Sequence, residues 1–201
     1  MLEAQSIIEL HQVMVKRWHA QPKLDNPFVG FLRLVADQHM SNYQLWHEED
    51  LARDPVASPH QIAEVKRNID RLNQQRNDRI EQLDDAILAK LAASGCQADA
   101  NAPLNTETPG SVIDRLSILA LRIYHMEEQA ARHDASAEHQ RKVEQRLVIL
   151  HEQHNDLSHS LAQLLDDIVA GKKRLKVYRQ FKMYNDPTLN PRIYNATRRA
   201  G

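Results

Sequence analysis

Five glycines and eight prolines in 201 residues leave little material for the turns of a many-stranded sheet, and aromatic residues make up only 5%. Long stretches run without a turn-former, so an all-α chain is expected. One cysteine, Cys96, cannot close an internal disulfide, which suits a reducing compartment, and its Gly/Ala/Asn-rich setting is not that of a catalytic thiol. The N-terminus carries charge and histidine inside its apolar pattern, which fits neither a signal peptide nor a membrane span. A cytoplasmic location is therefore expected. Glycine-rich phosphate loops, nucleophile elbows and Cys-x-x-Cys pairs are also missing. What remains, 42% hydrophobic and 26% charged, suffices for one substantial core and a single domain over 1–201.

The sequence repeats itself. Residues 45–91 align without a gap to residues 123–169, an offset of 78, with LWHEED matching IYHMEE and LNQQRND matching LHEQHND. Eleven pairs are identical, among them His47/His125, Glu49/Glu127, Ser58/Ser136, Asn77/Asn155 and Asp78/Asp156. Composition alone would give about three. Most matched residues are polar, so the repeat preserves more than a hydrophobic pattern. An ancient duplication is the expected origin.

Helical periodicity places an N-terminal helix at about 3–20, with Ile7, Ile8, Leu10, Met14, Val15 and Trp18 as its stripe. A first hairpin, 27–95, should open at Pro27 behind Asp25 or Asn26 and turn at Ser58-Pro59, where Gln61 completes a capping box. A loop of about fifteen residues leads to the second hairpin, 111–171, opening at Ser111 with Asp114 three residues on. Gly95 and Gly171 close the two halves. Paired this way, the hairpins bury their stripes best as a four-helix bundle, with the N-terminal helix and the C-terminal segment packed outside.

Polar residues interrupt the faces that should be core. On the helix around 59–93, Arg76 lies in the middle of the arc of Ile62, Val65, Ile69, Leu72, Ile80, Leu83 and Ile87, beside a polar stripe that includes Asn73, Asn77, Glu81 and Asp84. His154 is its repeat equivalent. The helix around 27–53 carries His39, Asn42, Glu49, Asp50 and Arg53 on the face of Phe31, Val35 and Trp46. Buried polar groups need partners, so these residues are expected to satisfy one another, a metal or a ligand. His39 is the candidate proton carrier, Arg76 the anion holder, and Asp50 the catalytic carboxylate. Asn42, Trp46, Arg53, Asn73 and Asn77 are candidate ligand contacts. Glu49, Asp50, Glu127 and Glu128 are candidate oxygen ligands for Mg²⁺ or Mn²⁺. His47-x-x-Asp50 and His125-x-x-Glu128 reverse the Glu-x-x-His of dinuclear bundles, but both histidines project about 100° from the seam and are expected to brace the bundle surface.

Residues 171–201 hold nine Lys/Arg against one acid, Asp186, so this segment is +8 and the remainder −9. Its interleaved Tyr178, Phe181 and Tyr184 resemble a nucleic-acid surface in composition, yet a helix docked on an acidic bundle is the favoured expectation and nucleic acid is not. A homodimer through the N-terminal helix is compatible with the sequence.

LWHEEDLAR, VKRNIDRLNQQRNDRIEQLD, PGSVIDRLSILALRIYHMEE and QFKMYNDPTLNP together resemble a bacterial family known only as a domain of unknown function. The resemblance covers nearly the whole chain. It implies an association with glycosyltransferases of cell-surface glycans, beside which members are sometimes encoded. The functional expectation is an enzyme or ligand-binding protein for a phosphorylated or sugar-linked metabolite. A non-catalytic interaction or scaffold module is the alternative.

Overall fold

The structure, a computed structural model, describes residues 3–200 apart from 22, 182, 184 and 185, and the backbone alone of 196–200. Its helices are α1 (Ala4–Ala20), α2 (Gly30–Leu51), α3 (Pro59–Ala93), α4 (Pro109–Ala130), α5 (Ala137–Val169) and α6 (Pro191–Ala200). Among the described residues there is no strand, only a lone parallel bridge between Leu104 and Arg174. No described helix is long and apolar enough to cross a membrane.

Two hairpins form as the local signals require. Ser58 and Gln61 cap α3 reciprocally, and Ser136 caps α5 by accepting from the His139 amide. Gly95 and Gly171 follow α3 and α5 at φ of 68° and 70°, the left-handed conformation that a glycine reaches without Cβ strain. α2 and α4 are both 22 residues long, and the boundaries of α2 and α3 recur in α4 and α5 at the 78-residue offset to within two residues. Repeat-equivalent residues also meet: His39 bonds to Ser117, and the rings of His47 and His125 lie 5.8 Å apart. Both contacts join α2 to α4.

The expectation that the N-terminal helix packs outside the bundle does not hold. α1 lies against α2, α4 and α5, and its Ile7, Met14 and Trp18 are among the most buried large side chains. The reason is on α4, where Val112, Ile113, Leu116, Leu119, Ala120 and Leu121 are all buried. That arc is too wide for one hairpin partner, so α4 sits centrally and α1 covers its remaining apolar side.

Three other boundaries differ from expectation. α2 opens at Gly30 without a side-chain cap, because Asp25 is held by Arg17 and Asn26 binds the Phe28 amide and Asp37. α4 opens a turn before Ser111 would cap it: Thr108 accepts from the Ser111 amide and Pro109 takes the first position. Asp114 is thereby released from capping and faces inward. The basic segment does not begin as a helix. It leaves α5 extended, with the Arg174 amide on the Pro103 carbonyl, and docks through Arg179 on Glu81 and Asp85 of α3. Tyr178 and Phe181 do not anchor it, since Phe181 is 82% exposed and Tyr178 is also exposed. Lys182 and Tyr184 lie outside the described residues, as do the side chains of Arg198 and Arg199.

Gly110 fixes how α4 meets α3. Its amide donates to buried Asp84, 2.7 Å away, and an added Cβ would stand 2.6 Å from the Ile80 carbonyl oxygen. Gly110→Ala is therefore expected to destabilise the fold by about 1–3 kcal/mol through forced separation of the two helices. Urea denaturation measures this, and an unchanged midpoint would remove the close approach from the account.

Candidate polar cleft and its buried support

At the centre of the inner polar face is a residue read from the sequence only as a cap. Asp114, 4% exposed, accepts hydrogen bonds from Gln38 (2.6 Å) and Asn42 (3.0 Å) of α2 and from Nε of Arg76 on α3 (2.7 Å). A second Arg76 nitrogen binds the other carboxylate oxygen, so the pair is bidentate. Donating to this carboxylate raises the guanidinium's pKa, against the opposing effect of burial.

From Asp114 the bonds continue inward in a determined direction. His39 Nε2 lies 3.1 Å from the His11 carbonyl, which can only accept, so Nε2 carries the hydrogen and Nδ1 is the acceptor. Ser117 therefore donates its hydroxyl to Nδ1 at 2.7 Å and accepts from Asn42 at 2.9 Å. His39 is 0% exposed, and burial pushes its pKa down to about 3. It stays neutral, both nitrogens are engaged, and it does not line the cleft. A proton carrier needs access that this imidazole lacks. His11, whose ring lies 4.7 Å from it and tilted by 46°, is also held well below the usual imidazole range by burial.

Above this network opens a cleft of about 350 Å³. α2 contributes Asn42, Leu45, Trp46, Glu49 and Asp50, the turn after it Arg53, α3 contributes Arg76, and α4 contributes Ile118, Leu121 and Arg122. The structure thus brings Asn42, Trp46, Glu49, Asp50 and Arg53, whose spacing suggested one helical arc, together with Arg76 of α3. Asn73 and Asn77 are half-buried on α3 and do not line this cleft. Arg122 was not singled out from the sequence, although Arg115, Ile118 and Arg122 stand at helical spacing. Ile118 and Arg122 also line a neighbouring cleft of about 520 Å³ that reaches Gln153 and Asp156 of α5.

The four acids proposed for Mg²⁺ or Mn²⁺ do not converge. Glu49 is paired with Arg53 at 2.7 Å, Glu128 with His125 at 2.8 Å, Asp50 is exposed at the cleft, and Glu127 faces a different cleft beside His151 and His154. Glu49 and Asp50 are adjacent in sequence, as are Glu127 and Glu128, so the members of each pair point about 100° apart around their helix. The group of three or more metal-ligating side chains found among the described residues is instead His19, His47 and His125. Two of these are the histidines expected to brace the surface. The third belongs to α1 and falls four residues after Val15, on the buried stripe.

His39 and His11 give stability a pH dependence whose sign is fixed. Both pKa values are depressed by folding, so the unfolded chain binds the extra protons and stability present above pH 6.5 is lost as the pH falls toward the folded values. Between pH 7.5 and 5 His39 should remove about 2 kcal/mol, and His11 adds a loss of the same sign. Urea titrations at the two pH values test this; equal midpoints would contradict neutral burial.

No curated protein and no solved structure matches the chain. A family described as a protein of unknown function (DUF4254) matches it over residues 32–177, which takes in α3, α4, α5 and nearly all of α2. The cleft, Asp114 and two of the three clustered histidines fall inside that span, and by this match the chain belongs to the DUF4254 family.

Proposed function

We propose that the protein binds a small anionic, sugar-linked metabolite, such as a sugar phosphate, in the cleft between α2, α3 and α4. The observation that carries this reading is Trp46, an indole set in the cleft wall between carboxylates and guanidinium groups. An indole face suits the apolar face of a sugar ring, Glu49 and Asp50 suit its hydroxyls, and Arg53 and Arg122 suit a phosphate. Arg76 spends two of its nitrogens on Asp114 and retains the donors of the third. If chemistry follows binding, Asp50 is the carboxylate placed to exchange a proton with the ligand, and His39 is a buried support. The resemblance to proteins encoded beside glycosyltransferases favours the sugar-linked end of this class and a role in cell-surface glycan metabolism. The matching offsets of the two hairpins support their origin from one duplicated hairpin, with the first copy carrying more of the cleft.

One observation favours the second reading, a non-catalytic interaction or scaffold module. The network from Asp114 to His11 joins four helices, and the donors to the Asp114 carboxylate all come from the protein. Thermal shift and calorimetry with a panel of sugar phosphates and nucleotide sugars separate the two. A bound member is expected to lose about tenfold or more in affinity in Trp46→Ala and in Arg122→Ala, both folded. A panel without any binder would favour the module.

A further inference from the structure

His19, His47 and His125 approach one another from three different helices, α1, α2 and α4, each offering a ring nitrogen within 4.8 Å of the others. In all three rings Nε2 is buried and has no hydrogen-bond partner in the protein. The opposite nitrogens show why two of these atoms are lone pairs. His19 Nδ1 lies 2.7 Å from the Val15 carbonyl, which accepts only, so Nδ1 bears the hydrogen. His125 Nδ1 lies 2.8 Å from a carboxylate oxygen of Glu128, with the same consequence. A histidine that donates its far N–H to a carbonyl or carboxylate is the arrangement that orients a metal ligand. Aromatic packing holds the rings further: His19 stacks on Tyr124 at 4.2 Å, His125 on Trp46 at 4.8 Å, and His47 meets the edge of Tyr43 at 4.5 Å.

We propose that this cluster is a binding site for a divalent transition cation, Zn²⁺ foremost, held by Nε2 of His19, His47 and His125. Imidazole donors select zinc and its neighbours, whereas Mg²⁺ and Ca²⁺ require oxygen. Zinc–nitrogen bonds of about 2.0–2.1 Å at tetrahedral angles place ligand nitrogens about 3.4 Å apart, so closure needs side-chain movements of about an ångström. Three protein ligands leave the fourth position for water or a ligand oxygen, the pattern of zinc sites that polarise a substrate. Trp46, which stacks on His125, also lines the sugar cleft, so the two sites are neighbours. Glu128 is a positioning residue here. The proposal does not depend on the identity of the cleft's ligand.

Chelator-treated full-length protein, titrated calorimetrically with zinc salt alone, should bind one Zn²⁺ per chain and melt at a higher temperature. Loading with Co²⁺ should give the visible absorption of a tetrahedral imidazole complex. Affinity should fall by about 100-fold or more in His47→Gln and His125→Gln and by about 10–100-fold in Glu128→Gln. His60→Gln, an exposed histidine on α3, should leave it unchanged. Two results overturn the site: no stoichiometric uptake by the folded protein, or uptake undiminished in a folded triple His19/His47/His125→Gln variant. Should that variant fail to fold, Glu128→Gln and the Co²⁺ spectrum decide, and unchanged affinity or an octahedral spectrum counts against it. No sugar is present in these measurements, so their failure is distinct from failure of the cleft reading.

Discussion

Asp114 brings a carboxylate into the middle of the bundle, where an unpaired negative charge would not be tolerated. Its donors arrive from two other helices: Gln38 and Asn42 from α2, and the Arg76 guanidinium from α3. Apolar side chains can slide past one another at small cost, but a bidentate ion pair admits one register. Such a pair adds little net stability over a hydrophobic substitute, since desolvation offsets its attraction. What it supplies is position. Asn42 and Arg76 stand both in this network and in the cleft above it, so the interaction that aligns three helices also sets the floor of the proposed binding site.

The same logic explains why the two halves, so alike in outline, differ inside. Position 39 is histidine and its equivalent 117 is serine, and the two bond to each other between α2 and α4. About two turns farther along α2 and α4 the pair at 47 and 125 is histidine in both, and His19 of α1 completes the cluster. α1 is thus part of both the core and the proposed metal site.

Helix existence was legible from local signals: Ser58-Pro59, Ser136, Gly95 and Gly171 act on their own neighbours, and the structure places the ends where they indicate. Most of the cleft was legible too, because Asn42, Trp46, Glu49 and Arg53 recur at helical spacing and Arg76 interrupts an apolar arc. Asp114 was not, since Thr108 and Ser111 are equally good caps on paper and the choice between them decides whether residue 114 caps or faces inward. The 100° offset of His47 and His125 was geometrically sound but pointed to the surface only while α1 was placed outside. α1's depth in turn follows from the wide apolar arc of α4, a property of packing that no single-helix stripe records.

That Asp114 organises the bundle is most directly tested by a double-mutant cycle on stability with Arg76→Met, Asp114→Asn and the combination. The single changes should each cost several kcal/mol, and the pair should be coupled by about 2 kcal/mol or more, because losing one partner strands the other in a buried position. Additive effects, with coupling near zero, would contradict the account and return Arg76 to the role of a solvent-facing anion holder.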